Sequence, residues 1–193
     1  MEATISKNPD SPSVESIKLP PHSIEAEQSL LGGLLIDNEA WDRIGDLVTD
    51  TDFYRDEHRR IFRHIRKLLE QGKPADAITV AESIDASGES DQTGGLAYLG
   101  AIVNNTPSAA NILRYAEIVH ERSILRRLAA TAEEIASDAL NPMGRDAVGI
   151  LNEAESKIFA IAESGARYRN GFTHINPLLT KIVDRVQELS EQE

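Results

Sequence analysis

The strongest constraint on the fold is a run of residues from Asn111 to Leu140 that contains neither proline nor glycine. A run of that length predicts one long helix, about 45 Å at 1.5 Å per residue. Ile118, Leu125, Ala132 and Ala139 recur every seven residues, and Glu121, Leu128 and Ile135 fall between them in the second heptad register. Asn141-Pro142-Met143-Gly144 reads as a turn. Ala147, Leu151, Ala154, Ile158 and Ile161 then repeat at alternating helical spacings. Two such helices joined by a short turn predict an antiparallel helical hairpin. A lone hairpin leaves apolar surface on its flanks. The pattern therefore predicts self-association through Ile118, Leu125, Leu128, Ile135, Leu151, Ile158 and Ile161.

The first half reads as shorter helices. Residues 1–20 are rich in Ser, Pro, Asn and acids, bury little, and read as a disordered leader. Ser23 suits an N-cap, with Glu25 and Glu27 in the first turn, where the helix dipole favours acids. Leu30, Leu31, Leu34 and Leu35 follow on one face, and Gly32-Gly33 predicts close approach of another backbone. Asn38 is a candidate cap for a helix carrying Trp41, Ile44, Leu47 and Val48. A third helix spans 56–71, with Ile61, Phe62, Ile65, Leu68 and Leu69 inward and Gly72 at its end. Thr79 to Glu82 resembles a capping box opening a helix that stops near Gly88, and Leu96 to Val103 forms another. The chain divides into a leader (1–20), a helical bundle (21–110), a hairpin (111–164) and a linker (165–193). Asn176-Pro177 opens the linker's terminal amphipathic helix, with Leu179, Ile182, Val183, Val186 and Leu189 as a candidate docking stripe. The fold class is all-α.

Composition removes many chemistries. The chain has no cysteine, which excludes disulfides, thiolate metal sites and a thiol nucleophile. No apolar run reaches the roughly 20 residues that cross a bilayer, and no signal peptide opens the chain. These features predict a cytoplasmic protein. A net charge of −12 makes sequence-independent nucleic-acid binding a poor main activity. No G-x-x-x-x-G-K-[ST] loop is present, since Lys67 stands where Gly72-Lys73 would need a glycine upstream. None of the five histidines belongs to an H-E-x-x-H pair. The pattern predicts neither catalytic residues nor a cofactor or metal site. His58, beside Phe62, reads as a buried histidine bonded to backbone, and Tyr98 and Tyr115 as core rings with satisfied hydroxyls. Arg59, Arg63 and Arg66 share one face of the third helix. A solvated face paired with nearby acids is the favoured reading; the alternative is a stand-alone helical DNA-binding regulator that uses this face.

Longer strings carry a family resemblance. Pro21-His-Ser-Ile-Glu-Ala-Glu-Gln-Ser-Leu-Leu-Gly-Gly33, Asp52-Phe-Tyr54 and His58-Arg-Arg-Ile-Phe62 resemble the opening of the bacterial replicative DNA helicases of the DnaB family. So do Gly94-Gly-Leu-Ala-Tyr-Leu99, Asn105-Thr-Pro-Ser-Ala-Ala-Asn111, Tyr115-Ala-Glu-Ile-Val119 and Leu151-Asn-Glu-Ala-Glu155. The resemblance implies the N-terminal domain and linker of a hexameric helicase that unwinds duplex DNA at the replication fork. The ATPase motor would follow and hold the ATP, the Mg2+ and most contacts to DNA, so this part alone would be no enzyme. It further implies hairpins paired in a trimer-of-dimers collar. That collar would recruit the C-terminal domain of primase and in some bacteria communicate with a helicase loader. The linker helix would dock on a neighbouring motor, and the protein would sit on the nucleoid during replication. Glu25, Tyr98, Arg122 and Arg126 are the candidate primase contacts, the two arginines being taken as exposed.

Overall fold

The computed structural model describes residues 19–169, with side chains through Gly165. The expected leader, up to residue 18, and the stripe Leu179, Ile182, Val183, Val186 and Leu189 lie outside the described residues. Within them the chain is helical and has no strand. Eight α-helices follow in order: α1 (Ile24–Ile36), α2 (Trp41–Ile44), α3 (Asp56–Glu70), α4 (Ala77–Asp85), α5 (Ser90–Thr93), α6 (Gly95–Asn105), α7 (Ile112–Leu140) and α8 (Ala147–Arg169).

Helix α1 is the axis of the bundle. Ser23 caps it by accepting the Ala26 N–H at 3.2 Å. Leu30, Leu31 and Leu34 are fully buried, because α3, α6 and α7 all pack against this one helix. Phe53 and Phe62 meet at the centre with ring centroids 5.0 Å apart, so two aromatic rings join a core otherwise made of aliphatic side chains. The glycine pair works differently from expectation. A Cβ on Gly32 would overlap the Thr106 side chain at the end of α6, and one on Gly33 would sit 3.0 Å from Ile112 Cδ1. The glycines make room chiefly for side chains of two neighbouring segments, not for a backbone.

Two expected caps are corrected. Asn38 does not cap α2. Its amide donates to Leu34 O at 2.7 Å and Ala75 O at 3.1 Å and accepts the Ala75 N–H at 2.9 Å, tying α1 to the loop before α4. Asp37 caps the 3₁₀ turn over Asn38–Ala40 instead. Helix α4 begins earlier than Thr79. Asp76 accepts the Ile78 and Thr79 N–H groups, each at 2.9 Å, while the Thr79 hydroxyl accepts the Asp76 N–H. Thr79 is thus the third residue of a capping box that Asp76 opens, and a carboxylate outcompetes a hydroxyl at that end of the dipole.

Helix α7 belongs to both halves of the molecule. Its first turns bury Ile112, Ala116, Val119 and Ser123 against the bundle. Beyond Arg126 and Arg127 the helix projects from the bundle and, among the described residues, packs along α8. The bundle anchor fixes the rotation of α7 and shifts the hairpin seam. Half-buried positions along the seam are Ile124, Thr131, Ile135 and Asp138 on α7, facing Ile150, Ala154, Lys157 and Ile161 on α8. Leu125, Ala132 and Ala139, one position round, are exposed instead. Near the turn the seam is ionic. Lys157 Nζ lies 3.4 Å from Glu134 and 3.6 Å from Asp138, and Arg145 joins Asp138 to Glu153.

Candidate protein-interaction site

Three structural features converge where α1, the start of α3 and α7 meet. The first is a buried polar relay. Glu27, one turn into α1, is 1% exposed. It accepts the Tyr54 N–H at 2.7 Å and the Arg55 N–H at 3.4 Å, which lead into α3. Its second oxygen lies 2.6 Å from His58 Nδ1. On the far side of the ring, His58 Nε2 lies 2.7 Å from the Tyr98 hydroxyl, which accepts from Gln28 Nε2 at 3.1 Å. The carboxylate can only accept, so His58 donates to it from Nδ1; a neutral ring then accepts the Tyr98 O–H at Nε2. His58 is therefore bonded to side chains, not to backbone as the sequence suggested. Its neighbour Glu27 is a buried acceptor rather than a free first-turn acid.

The second feature is a clamp at the entry of the chain. Arg126 of α7 donates from Nη1 to Pro21 O at 2.8 Å and from Nη2 to Asp52 O. Its guanidinium lies over the Tyr54 ring, 5.7 Å from the centroid, and His22 stacks on that ring at 4.4 Å. Burial lowers the Arg126 pKa, and the negative charge of Glu27 works against that fall. The expectation of an exposed Arg126 is thus corrected: it is half-buried and braces the hairpin root to the bundle. Arg122 is also half-buried. Glu25 is exposed, as its first-turn position required, and Tyr98 is half-buried with its hydroxyl turned inward.

The third feature lies beside the clamp. Asp52 is 4% exposed and accepts the Thr49 N–H at 2.8 Å. Burial would raise its carboxyl, but the neighbouring His120, whose Nδ1 lies 3.6 Å away, the Thr49 N–H and the nearby Ser123 outweigh that and hold it below the usual carboxylate range. Asp52 thereby joins the loop before α3 to α7 from a second side.

The hairpin separates the expected self-association residues into two sets. Ile118 packs on the bundle core, and Ile135 and Ile161 fill the α7–α8 seam. Leu125, Leu128, Leu151 and Ile158 face outward, at 37%, 41%, 68% and 41% exposure. Phe159, which a single heptad register passes over, stands beside them at 68% exposure. It lies eight residues after Leu151, about 80° beyond two full turns, so both fall within one broad apolar face of α8. That spacing is the signal in the sequence that would have found it.

The basic face of α3 is neutralised by its surroundings. Arg59 Nε donates to Phe53 O at 2.7 Å, Arg60 pairs with Asp56 at 2.7 Å and Glu89 at 3.3 Å, and Arg63 and Arg66 both face Asp50. This is the solvated, acid-paired face favoured from the sequence, and it leaves the DNA-binding alternative without a supporting patch.

These features describe an all-helical domain, braced at the root of a projecting hairpin whose outer face carries exposed apolar side chains. The profile of the DnaB-like helicase N terminal domain matches residues 19–121, more than half of the chain. The chain belongs to that family. It is 41% identical over 177 residues to the replicative DNA helicase DnaB of Haemophilus influenzae, covering 92% of this chain and 38% of that protein. It is 43% identical over 189 residues to the DnaB of Pasteurella multocida, covering 97% of this chain and 40% of that protein. The chain thus spans about two fifths of the length of these relatives. Among solved structures, the N-terminal domain of DnaB helicase from Mycobacterium tuberculosis matches with a TM-score of 0.71 and 34% identity, covering 74% of this chain and 99% of that one. A DnaB-like replicative helicase, described with its interactions with primase, shares the fold at a TM-score of 0.59 and 21% identity. It covers 83% of this chain and 34% of that one. The matched region is the family's N-terminal domain and not its ATPase motor. Among the described residues, no helix is long and apolar enough to cross a membrane.

Proposed function

We propose that this chain is the collar-forming part of a hexameric replicative helicase in the cytoplasm, where it self-associates through its hairpin and recruits primase. The observation that carries the reading is the outward apolar stripe of Leu125, Leu128, Leu151, Ile158 and Phe159 on an otherwise strongly acidic chain. Such a contiguous stripe on a projecting arm marks an interface. Pairing two hairpins buries both stripes in a four-helix arrangement. The Arg126 clamp and the pairing of Asp52 with His120 brace the root of the arm against the bundle, as a closed ring of repeated pairs requires. Exposed acids of the chain, Glu25 at the start of α1 included, steer a basic partner face and set its orientation. ATP, Mg2+ and the main contacts to DNA belong, on this reading, to a motor domain beyond this chain.

Light scattering across protein concentration tests the pairing. Leu151→Glu with Phe159→Glu is expected to lower the oligomer mass while leaving the helical content of the single chain intact, because both side chains are in water there. An unchanged mass places the interface elsewhere. Calorimetry against the primase C-terminal domain tests recruitment. Glu25→Lys is expected to weaken binding at unchanged stability, and full binding by that variant removes the α1 end from the docking surface.

A further inference from the structure

At the root of the hairpin, α7 and α8 leave an open groove of about 460 Å3. Its floor is apolar, formed by Ile124, Leu125, Ile161, Ala162 and Gly165, and its rim carries Arg114, Glu117, His120 and Glu121. Gly165 has no side chain to fill the space, and a Cβ there would come within 3.3 Å of Ile124 Cδ1. The groove lies where α8 is about to end and hand the chain to its last segment.

We propose that the occupant of this groove is the terminal segment of the same chain, residues 176–193, lying in it as an amphipathic helix. Three observations select this occupant. The segment carries the stripe Leu179, Ile182, Val183, Val186 and Leu189, which a helix of this length cannot leave in water and still be stable. The tether is short enough: α8 runs to Arg169, and the six residues 170–175 span at most ~21 Å before the Asn176-Pro177 start signal. One edge also matches in charge: Lys181 and Arg185 lie beside the stripe, and the exposed Glu121 edges the groove, while Glu117 is paired with Arg114 at 2.8 Å.

Tethering decides between this segment and a separate partner. A groove of this size offers a weak site to a free helix. A tether of a few residues raises the effective concentration to the millimolar range, so a contact too weak to join two chains at micromolar concentration is filled within one. The groove is then a parking site: the stripe is held on the collar until a stronger apolar surface competes for it. The inference stands whether or not hairpins pair, because the groove lies at the root of the hairpin and most of the outward stripe lies further along it.

The absence of cysteine makes a direct test possible. Glu121→Cys and Arg185→Cys in one chain, treated with a short bis-maleimide, are expected to give a cross-link inside the chain. The product should fall at least ten-fold when Val183→Asp and Val186→Asp break the stripe. A mixture of the two single-cysteine chains should give no such product. Pairing Arg185→Cys with Ser137→Cys, about 24 Å further along α7, supplies the background. Amide exchange at residues 182–186 of the unmodified chain should be at least ten-fold slower than in the Val183→Asp, Val186→Asp variant. Cross-linking at background level, or equal exchange in both chains, overturns the proposal. A product formed as efficiently in the mixture also overturns it, by making a second copy the source of the segment.

Discussion

His58 Nδ1 lies 2.6 Å from a carboxylate oxygen of Glu27, with the ring fully buried and the carboxylate almost so. This pair links α1 to α3 and, through the Tyr98 hydroxyl, to α6. A buried carboxylate is tolerated only when its oxygens are satisfied, and here two loop N–H groups and the imidazole satisfy them. Removing one partner is therefore costly. Glu27→Ala leaves His58 and the Tyr54 and Arg55 N–H groups without their acceptor, and it should destabilise by ~3 kcal/mol or more. Tyr98→Phe keeps the ring and removes one hydroxyl, with an expected loss of ~1 kcal/mol. Glu25→Ala, two residues away and exposed, should stay within ~0.5 kcal/mol. Urea unfolding of the three variants checks the order, and a Glu27→Ala chain as stable as Glu25→Ala contradicts it.

Two helical glycines give opposite expectations. In α1, a methyl on Gly32 would sit 2.8 Å from Thr106 Cβ and 3.2 Å from Ile102 Cγ2. The gain of up to ~1 kcal/mol in helix propensity is outweighed by overpacking of about 1–3 kcal/mol. Gly100 in α6 has nothing within 4 Å of the same position. Gly100→Ala should raise the melting temperature while Gly32→Ala lowers it. Differential scanning calorimetry of both decides whether space or propensity governs.

The Arg126 fork predicts a sharp difference between two cations. It donates to carbonyls of two separate segments, Pro21 and Asp52, while covering the Tyr54 ring. A lysine ammonium is compact and cannot span both oxygens with fixed geometry. Arg126→Ala should cost ~1–3 kcal/mol, and Arg126→Lys should recover less than half of it. Arg122→Ala, one turn earlier, should change stability by less than ~0.5 kcal/mol. Chemical denaturation measures all three.

The all-α class and the hairpin were legible because helical periodicity and the missing proline and glycine are local signals. Which side of α7 faces α8 was not. That choice depends on how Ile112, Ala116 and Val119 seat against α1, a relation between distant parts of the sequence. The seam consequently moved from Leu125 to Ile124 and from Leu151 to Ile150. The relay was hidden for the same reason. Glu27 and His58 are 31 residues apart, and an acid in a first turn looks the same in sequence whether it faces water or a buried imidazole. Asn38 illustrates a subtler loss: its amide satisfies three backbone groups of two segments, so its role is set by the loop at Ala75 rather than by the helix that follows it. The cap at Asp76 was readable in principle, because a carboxylate three residues before a threonine fits the same box as a threonine before a glutamate.

A final expectation concerns acidity. His64 on α3 is 7% exposed, and its Nδ1 lies 2.8 Å from the Ser83 hydroxyl of α4. Burial lowers its pKa below the ordinary histidine value; Glu89 opposes that fall, while Lys67 and Arg63 add to it. The folded chain thus binds a proton at His64 less readily than the unfolded chain does. Where the two protonation curves separate, the unfolded state holds more protons, so stability rises with pH. The contribution is fully present above the unfolded value of 6.5 and is lost as pH falls from there through the lower folded value. Asp52, whose folded pKa is lowered below 3.8, acts in a separate window: its contribution is lost only as pH falls below that value. Melting temperatures taken from about pH 7.5 down to about 4.5 should therefore decline first through the histidine window. His64→Gln, which can still bond Ser83 but cannot gain a proton there, should flatten that part of the curve and leave any steeper loss below about pH 4 in place. An unchanged slope in His64→Gln would assign the decline to another group.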